Sequence, residues 1–122
     1  MEGKINQTIG IDQIIFHAKS RFVEFSFQDG YKASLTCEFL RVFSPSAEVR
    51  GHAHDQEVLQ VGKKKISIDK LEQIGNYAIK ITFTDGHNTG LYSWGYIRDL
   101  GENKDRLWEK YLERLRKSGE KR

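Results

Sequence analysis

The chain has 122 residues, 38% of them hydrophobic, with seven Phe, five Tyr and two Trp, which gives one domain with one modest core and excludes a disordered chain. Its net charge of +3 lies in residues 101–122, where eight Lys/Arg meet five Asp/Glu, while the other hundred residues carry twelve of each. A lone cysteine, Cys37, excludes an internal disulfide and suits a reducing compartment.

In chain order, the N-terminal MEGKINQTIG has no apolar signal-peptide core, and no stretch reaches the roughly 18 apolar residues of a membrane span. A cytoplasmic protein with no membrane contact is expected. Residues 11–16 alternate imperfectly at Ile11, Ile14 and Phe16 and predict a strand. Val23, Phe25 and Phe27 alternate into Asp29-Gly30, and this pattern returns 56 residues later as Ile79, Ile81 and Phe83 before Asp85-Gly86. Asp-Gly between alternating apolar residues signals a hairpin, because Gly accepts positive φ and Asp bonds locally. Leu35 and Leu91 each follow the aspartate by six residues, so two similar hairpin units are predicted, each ending in a helical turn that starts near Thr36 or Ser93. Residues 65–75 predict another strand, turning at Gly75-Asn76. Leu107, Trp108, Tyr111, Leu112 and Leu115 form one apolar face of a helix over 103–119, with Asn103 or Asp105 as its cap and Gly119 at its end. The helix interleaves Glu109, Glu113 and Glu120 with its bases, so its basic tail reads as a solvated surface. The fold class is therefore α+β: a small twisted antiparallel sheet built from two similar β-hairpin units, packed with a C-terminal α-helix. The single domain spans 1–122, with a core over 11–100.

Between the hairpins, residues 42–62 show weak periodicity over a length unusual for a compact domain and often functional. The stretch CEFLRVFSPSAEVRG (37–51), read with DGHNTGLYSWGYIR (85–98), resembles the N-terminal domain of gamma-butyrobetaine hydroxylase, a module that also occurs as a free-standing bacterial protein. The resemblance runs from about Val23 to Leu100. In the hydroxylases a Cys-rich zinc loop follows the Leu-Arg pair, here Leu40-Arg41, and a histidine follows the second Asp-Gly, here His87. This chain has Ser44, Ser46 and Val49 where the resemblance implies thiolates. The resemblance also implies an accessory role, since the module precedes the hydroxylase catalytic domain and is attached elsewhere to Mrp-type P-loop ATPases that carry iron–sulfur clusters.

The residues offer little independent chemistry. Structural zinc needs four N or S ligands in a tetrahedron, and the best cluster is Cys37, His52, His54 and His87, with no CxxC or HxxxH. An extended His52-Ala53-His54 would point its rings apart. None of His17, His52, His54 and His87 is followed two residues on by a carboxylate, so the iron-binding facial pattern is missing. GxSxG, GxxxxGK[ST] and HExxH are also missing, and a Cys37 nucleophile would need His87 brought beside it by the fold. Lys63, Lys64 and Lys65 with Tyr31, Tyr77, Tyr92 and Trp94 are the only nucleic-acid features, without a recognisable module, so nucleic acid is not expected as a partner. The expectation is a non-enzymatic binding module without a cofactor, which contacts a protein partner in iron–sulfur or metal-cofactor metabolism. Its candidate surface is Arg41, Ser44, Ser46, Glu48, Arg50, His52, Tyr92 and Trp94, with Arg41 and Arg50 as carboxylate grips. The internal alternative for these residues is core packing of Tyr92 and Trp94 and a salt bridge from Arg41 to Glu38 or Glu48. The competing function is a metal-binding protein using Cys37 and His87, across a homodimer if one forms.

Overall fold

In the computed structural model, residues 10–50 and 58–122 are described. The elements run β1 (Ile11–His17), β2 (Phe22–Phe27), β3 (Lys32–Thr36), α1 (Cys37–Val42), α2 (Ala47–Arg50), β4 (Ile68–Ile74), β5 (Ala78–Phe83), β6 (Leu91–Ser93), α3 (Trp94–Glu102) and α4 (Lys104–Ser118). The α+β class holds, and the expected strands and helical turns form close to their predicted places.

The two hairpin units do not merge into one sheet. They form two antiparallel three-stranded sheets, β1-β2-β3 and β4-β5-β6. Each unit ends in a helix that begins immediately after its last strand. Helix α3 then packs against β3 of the first unit: a Cβ on Gly101 would meet the Ala33 Cβ at 2.9 Å.

The units repeat each other down to single hydrogen bonds. Gly30 and Gly86 take φ of +92° and +88°, a conformation that only glycine adopts without strain. The Asp29 and Asp85 carboxylates accept from the backbone N–H two residues on, at 3.1 Å in both turns. Thr36 and Ser93 share φ −69° and ψ 158°, and each hydroxyl accepts from the N–H three residues on. These caps satisfy donors that the first helical turn leaves unpaired.

The alternating residues of β2 and β5 face one shared core with β3, α1, β6 and α3, where Val23, Phe25, Leu35, Leu40, Phe83, Tyr92 and Ile97 are all fully buried. Helix α4 covers the end of α1 rather than a sheet face. Its Tyr111 and Leu115 pack with Val42, while Trp108 lies against Phe39 with ring centroids 6.1 Å apart. Asn103 precedes α4 without capping it, and its amide donates instead to the Asp99 carbonyl, closing α3. Gly119 ends α4 in the left-handed conformation. No helix among the described residues is long and apolar enough to cross a membrane.

Candidate functional site

Two polar chains meet where α1 and the following loop lie against the second Asp-Gly turn. Arg41, five residues past its helix cap, donates from Nε to Asp85 Oδ2 at 2.9 Å and from Nη1 to Gln60 Oε1 at 2.9 Å. Lys63 joins Asp85 at 2.8 Å. Burial tends to raise the Asp85 pKa. The hydrogen bonds from Lys63, the His87 backbone N–H and Arg41 outweigh it and bring the carboxyl from its ordinary 3.8 down to about 2.

The second chain runs through His87. Its Nε2 lies 2.9 Å from Ser44 Oγ, and its Nδ1 lies 3.1 Å from Glu48 Oε1. Burial, then the nearby Arg41 charge, depress the imidazole pKa below its ordinary value. A neutral ring with Nδ1–H directed to the Glu48 carboxylate leaves Nε2 to accept from the Ser44 hydroxyl. Thr89 Oγ1 donates to the same Glu48 oxygen at 3.3 Å. Glu48 is placed for this by α2, whose start is held by Ser46: the Ser46 Oγ accepts from the Glu48 N–H at 3.0 Å.

A serine, an imidazole and a carboxylate in this order have the connectivity of a nucleophile relay. Ser44 is nonetheless fully buried and its Oγ also accepts from the Ser46 N–H at 3.3 Å. Gly90 presses on it so closely that an added Cβ would stand 2.5 Å from the Oγ. The chain of bonds fastens the loop to the hairpin.

The zinc loop implied by the resemblance does not fit these residues. Ser44 and Ser46 offer neutral hydroxyls already engaged in local bonds, Val49 is buried as an apolar side chain, and both His87 nitrogens have protein partners. Cys37 is elsewhere in the bonding pattern. Its buried thiol hydrogen-bonds with Ser67, and burial pushes its pKa up to about 11, so the free thiol stays protonated at neutral pH. No group of three or more His, Cys, Asp or Glu that could hold a metal ion occurs among the described residues. His52 and His54 lie outside those residues.

Burial divides the candidate contact surface. Arg41, Ser44, Ser46, Tyr92 and Trp94 are turned inward and Glu48 and Arg50 outward. Arg41 is ion-paired with Asp85, rather than with Glu38 or Glu48 as in the internal alternative; Glu38 is held by Arg122 Nε and Nη2 at 3.0 and 2.8 Å. The fully buried Tyr92 donates its hydroxyl to the Leu40 carbonyl, and Trp94 donates Nε1 to the Asn76 carbonyl at 2.6 Å. Inward residues of this kind serve packing, because their polar atoms are already matched. Among the aromatic residues considered for base stacking, Tyr31 is covered by the Arg98 guanidinium at 4.1 Å.

Sequence reasoning had no place for Asp85, Gln60, Lys63 and Thr89 in this network. The hairpin echo contained part of the signal. Arg41 and Arg98 each stand five residues past a cap, and the Asp of each turn is paired by the Arg of the other unit, Arg98 Nη1 reaching Asp29 Oδ2 at 3.0 Å.

The fold is thus a cross-braced pair of hairpin–helix units, a small α+β domain with an internal repeat. The family model for the N-terminal domain of gamma-butyrobetaine hydroxylase-like proteins matches residues 14–98, and the chain belongs to that family. Two proteins solved by NMR in solution are similar over nearly the whole chain. One is 46% identical, with 96% of this chain and 87% of the other covered, and the other is 39% identical, with 95% and 91% covered; the TM-score is 0.82 for each. A crystal structure of a protein of unknown function from Acidithiobacillus ferrooxidans ATCC 23270, a member of the DUF971 family, is 34% identical over 75% of this chain and 92% of that one, with a TM-score of 0.63. Among curated proteins none matches.

Proposed function

We propose that this chain is a non-enzymatic accessory module that binds an acidic segment of a protein partner at the cleft between α2 and α4. The observation that carries the reading is the lining of that cleft, whose volume is about 380 Å³. Val42, Phe43, Val49 and Leu100 supply an apolar floor, and Arg50, Lys110 and Arg114 stand at its edge against a single carboxylate among the described residues, Asp99. Apolar burial with a cationic rim suits a segment that carries both apolar and acidic side chains. Val58, half exposed at 51%, extends the apolar surface at the margin. The Ser44–His87–Glu48 bonds support this role by fixing α2, so the partner meets a preformed wall rather than a loop that must be ordered on binding.

The absence of an accessible nucleophile at Ser44 and the protonated state of Cys37 support a non-enzymatic reading. Family resemblance is the support for a cytoplasmic setting in iron–sulfur or metal-cofactor metabolism. The test is affinity capture from a cytoplasmic extract with wild-type protein and with the Arg50→Glu/Lys110→Glu double variant, both verified as folded by circular dichroism. A partner held by the wild type and lost by the double variant is the expected result. Equal capture by both proteins would overturn this surface.

A further inference from the structure

A second cleft, which shares no lining residue with the basic-rimmed one, has a different chemistry. It lies between the start of β1, the β4–β5 turn and the start of α3, and has a volume of about 770 Å³. The residues that decide its chemistry are Asp12, Gln13, Gln28, Asn76, Tyr77 and Trp94. Among the described residues no Lys or Arg lines it, and Asp12 is its one carboxylate.

Three observations point to a ligand. First, the register of β1 against β2 shifts between Ile11 and Gln13, and both Asp12 and Gln13 are exposed where strict alternation would expose only one. Bulges of this kind re-aim side chains. Second, Gln13, Gln28 and Asn76 present exposed side-chain amides to the cleft. Each offers both an acceptor oxygen and two N–H donors. Third, Tyr77 is 56% exposed at the cleft wall although its backbone is fixed, its N–H donating to the Ile74 carbonyl and its carbonyl accepting from the Trp94 N–H.

We propose that this cleft binds a neutral, polyhydroxylated ligand, a carbohydrate, with one sugar face on the Tyr77 ring and hydroxyl pairs on the carboxamides and Asp12. Hydroxyls are donors and acceptors at once and match side-chain amides in either sense, and they also donate to a carboxylate. An anionic ligand would find no cation among the described lining residues, and an apolar ligand would strip water from the exposed amides at a cost. A peptide adding as a strand to the free edge of β1 needs a regular ladder, which the bulge interrupts. A nucleobase sandwiched between rings needs a second open face, which the 6% exposed Trp94 does not present.

The experiment is an amide- and indole-resolved NMR titration of the full chain with cellobiose, maltotriose and N,N′-diacetylchitobiose, with uridine and N-acetyl-alanyl-alanine amide in parallel. Saturable shifts from at least one saccharide are expected at Gln13, Asn76, Tyr77 and the Trp94 indole N–H. Tyr77→Ala, an exposed position that leaves the fold intact by circular dichroism, is expected to weaken that binding about tenfold. No saturable shift with any of the three saccharides overturns the proposal. So do shifts produced only by uridine or the capped peptide, and so does unchanged saccharide affinity in Tyr77→Ala. Arg50→Glu/Lys110→Glu is expected to bind saccharide normally, so failure here and failure of the protein-binding surface are read separately.

Discussion

The two halves of this molecule share a scaffold and use it differently. Each hairpin turn offers an aspartate, and each capped helix returns an arginine to the aspartate of the opposite half. In the first turn the brace stays at the surface: the Arg98 side chain is 27% exposed, lies over Tyr31 and also bonds Glu102. In the second turn the brace goes inward, with Arg41 9% exposed and His87, two residues past Asp85, enclosed by Ser44 and Glu48. The difference arises from the path of the chain beyond each helix. After α1 the chain turns back through Ser44 and α2 across the second turn, whereas after α3 it continues into α4 and leaves the first turn open. Equivalent sequence positions thus acquire different chemistry through cover alone.

The comparison is tested most severely by removing each arginine. Arg41→Ala leaves Asp85 with only Lys63 and the His87 N–H and takes the donor from Gln60 Oε1, and is expected to cost about 3 kcal/mol. Arg98→Ala removes an exposed brace and is expected to cost about 1 kcal/mol or less. Chemical denaturation of both variants measures the difference, and equal losses would show that the second brace gains nothing from burial. Gly90→Ala is expected to cost about 2 kcal/mol, since its Cβ would stand 2.5 Å from Ser44 Oγ and 3.0 Å from Pro45 Cδ in a filled site. The histidine resonances of that variant would report the loss of the Ser44 bond. A native-like His87 spectrum would mean that the loop is looser than these contacts imply.

Acid should weaken the second-turn network in two stages. His87 is depressed in the fold below its ordinary 6.5, so the unfolded chain binds this proton first. Its contribution is complete above pH 6.5 and is lost as pH falls from there toward the folded value. Asp85, at about 2 against an ordinary 3.8, contributes fully above pH 4 and loses that contribution as pH falls toward 2. Thermal melts across pH 8 to 2 should show both losses, and His87→Gln should abolish the first while sparing the second. The smallest effect concerns the caps. Thr36→Ala and Ser93→Ala are each expected to cost about 1 kcal/mol, with near-equal values because the two caps have the same geometry. Elemental analysis of untagged protein purified without chelator addresses the loop directly. Zinc well below one per chain is expected, and stoichiometric zinc lost in His87→Ala would reverse the reading of the Ser44–His87 bond.

Much of this architecture was legible along the chain because its signals are local. Asp-Gly turns, alternating apolar residues, Thr36 and Ser93 before helical turns and the five-residue face of α4 all act through neighbours a few positions apart. The family resemblance was carried by the same short stretches. The candidate site was less legible. Ser44 and His87 are 43 positions apart, and Arg41 and Asp85 are 44 apart, so neither contact leaves a periodic trace.

Sequence alone determined two hairpin–helix units, a terminal helix and the replacement of expected thiolates by Ser44, Ser46 and Val49. Only tertiary structure decided that the units form separate sheets, that each arginine crosses to the other half, and that Tyr92 and Trp94 face inward while Arg50 faces out. Backbone conformation depends on steric limits and hydrogen bonds within a few residues, which the order of side chains records. Burial depends on which distant segment comes to lie on top, and a hydroxyl, an imidazole or a guanidinium takes its role from that neighbour.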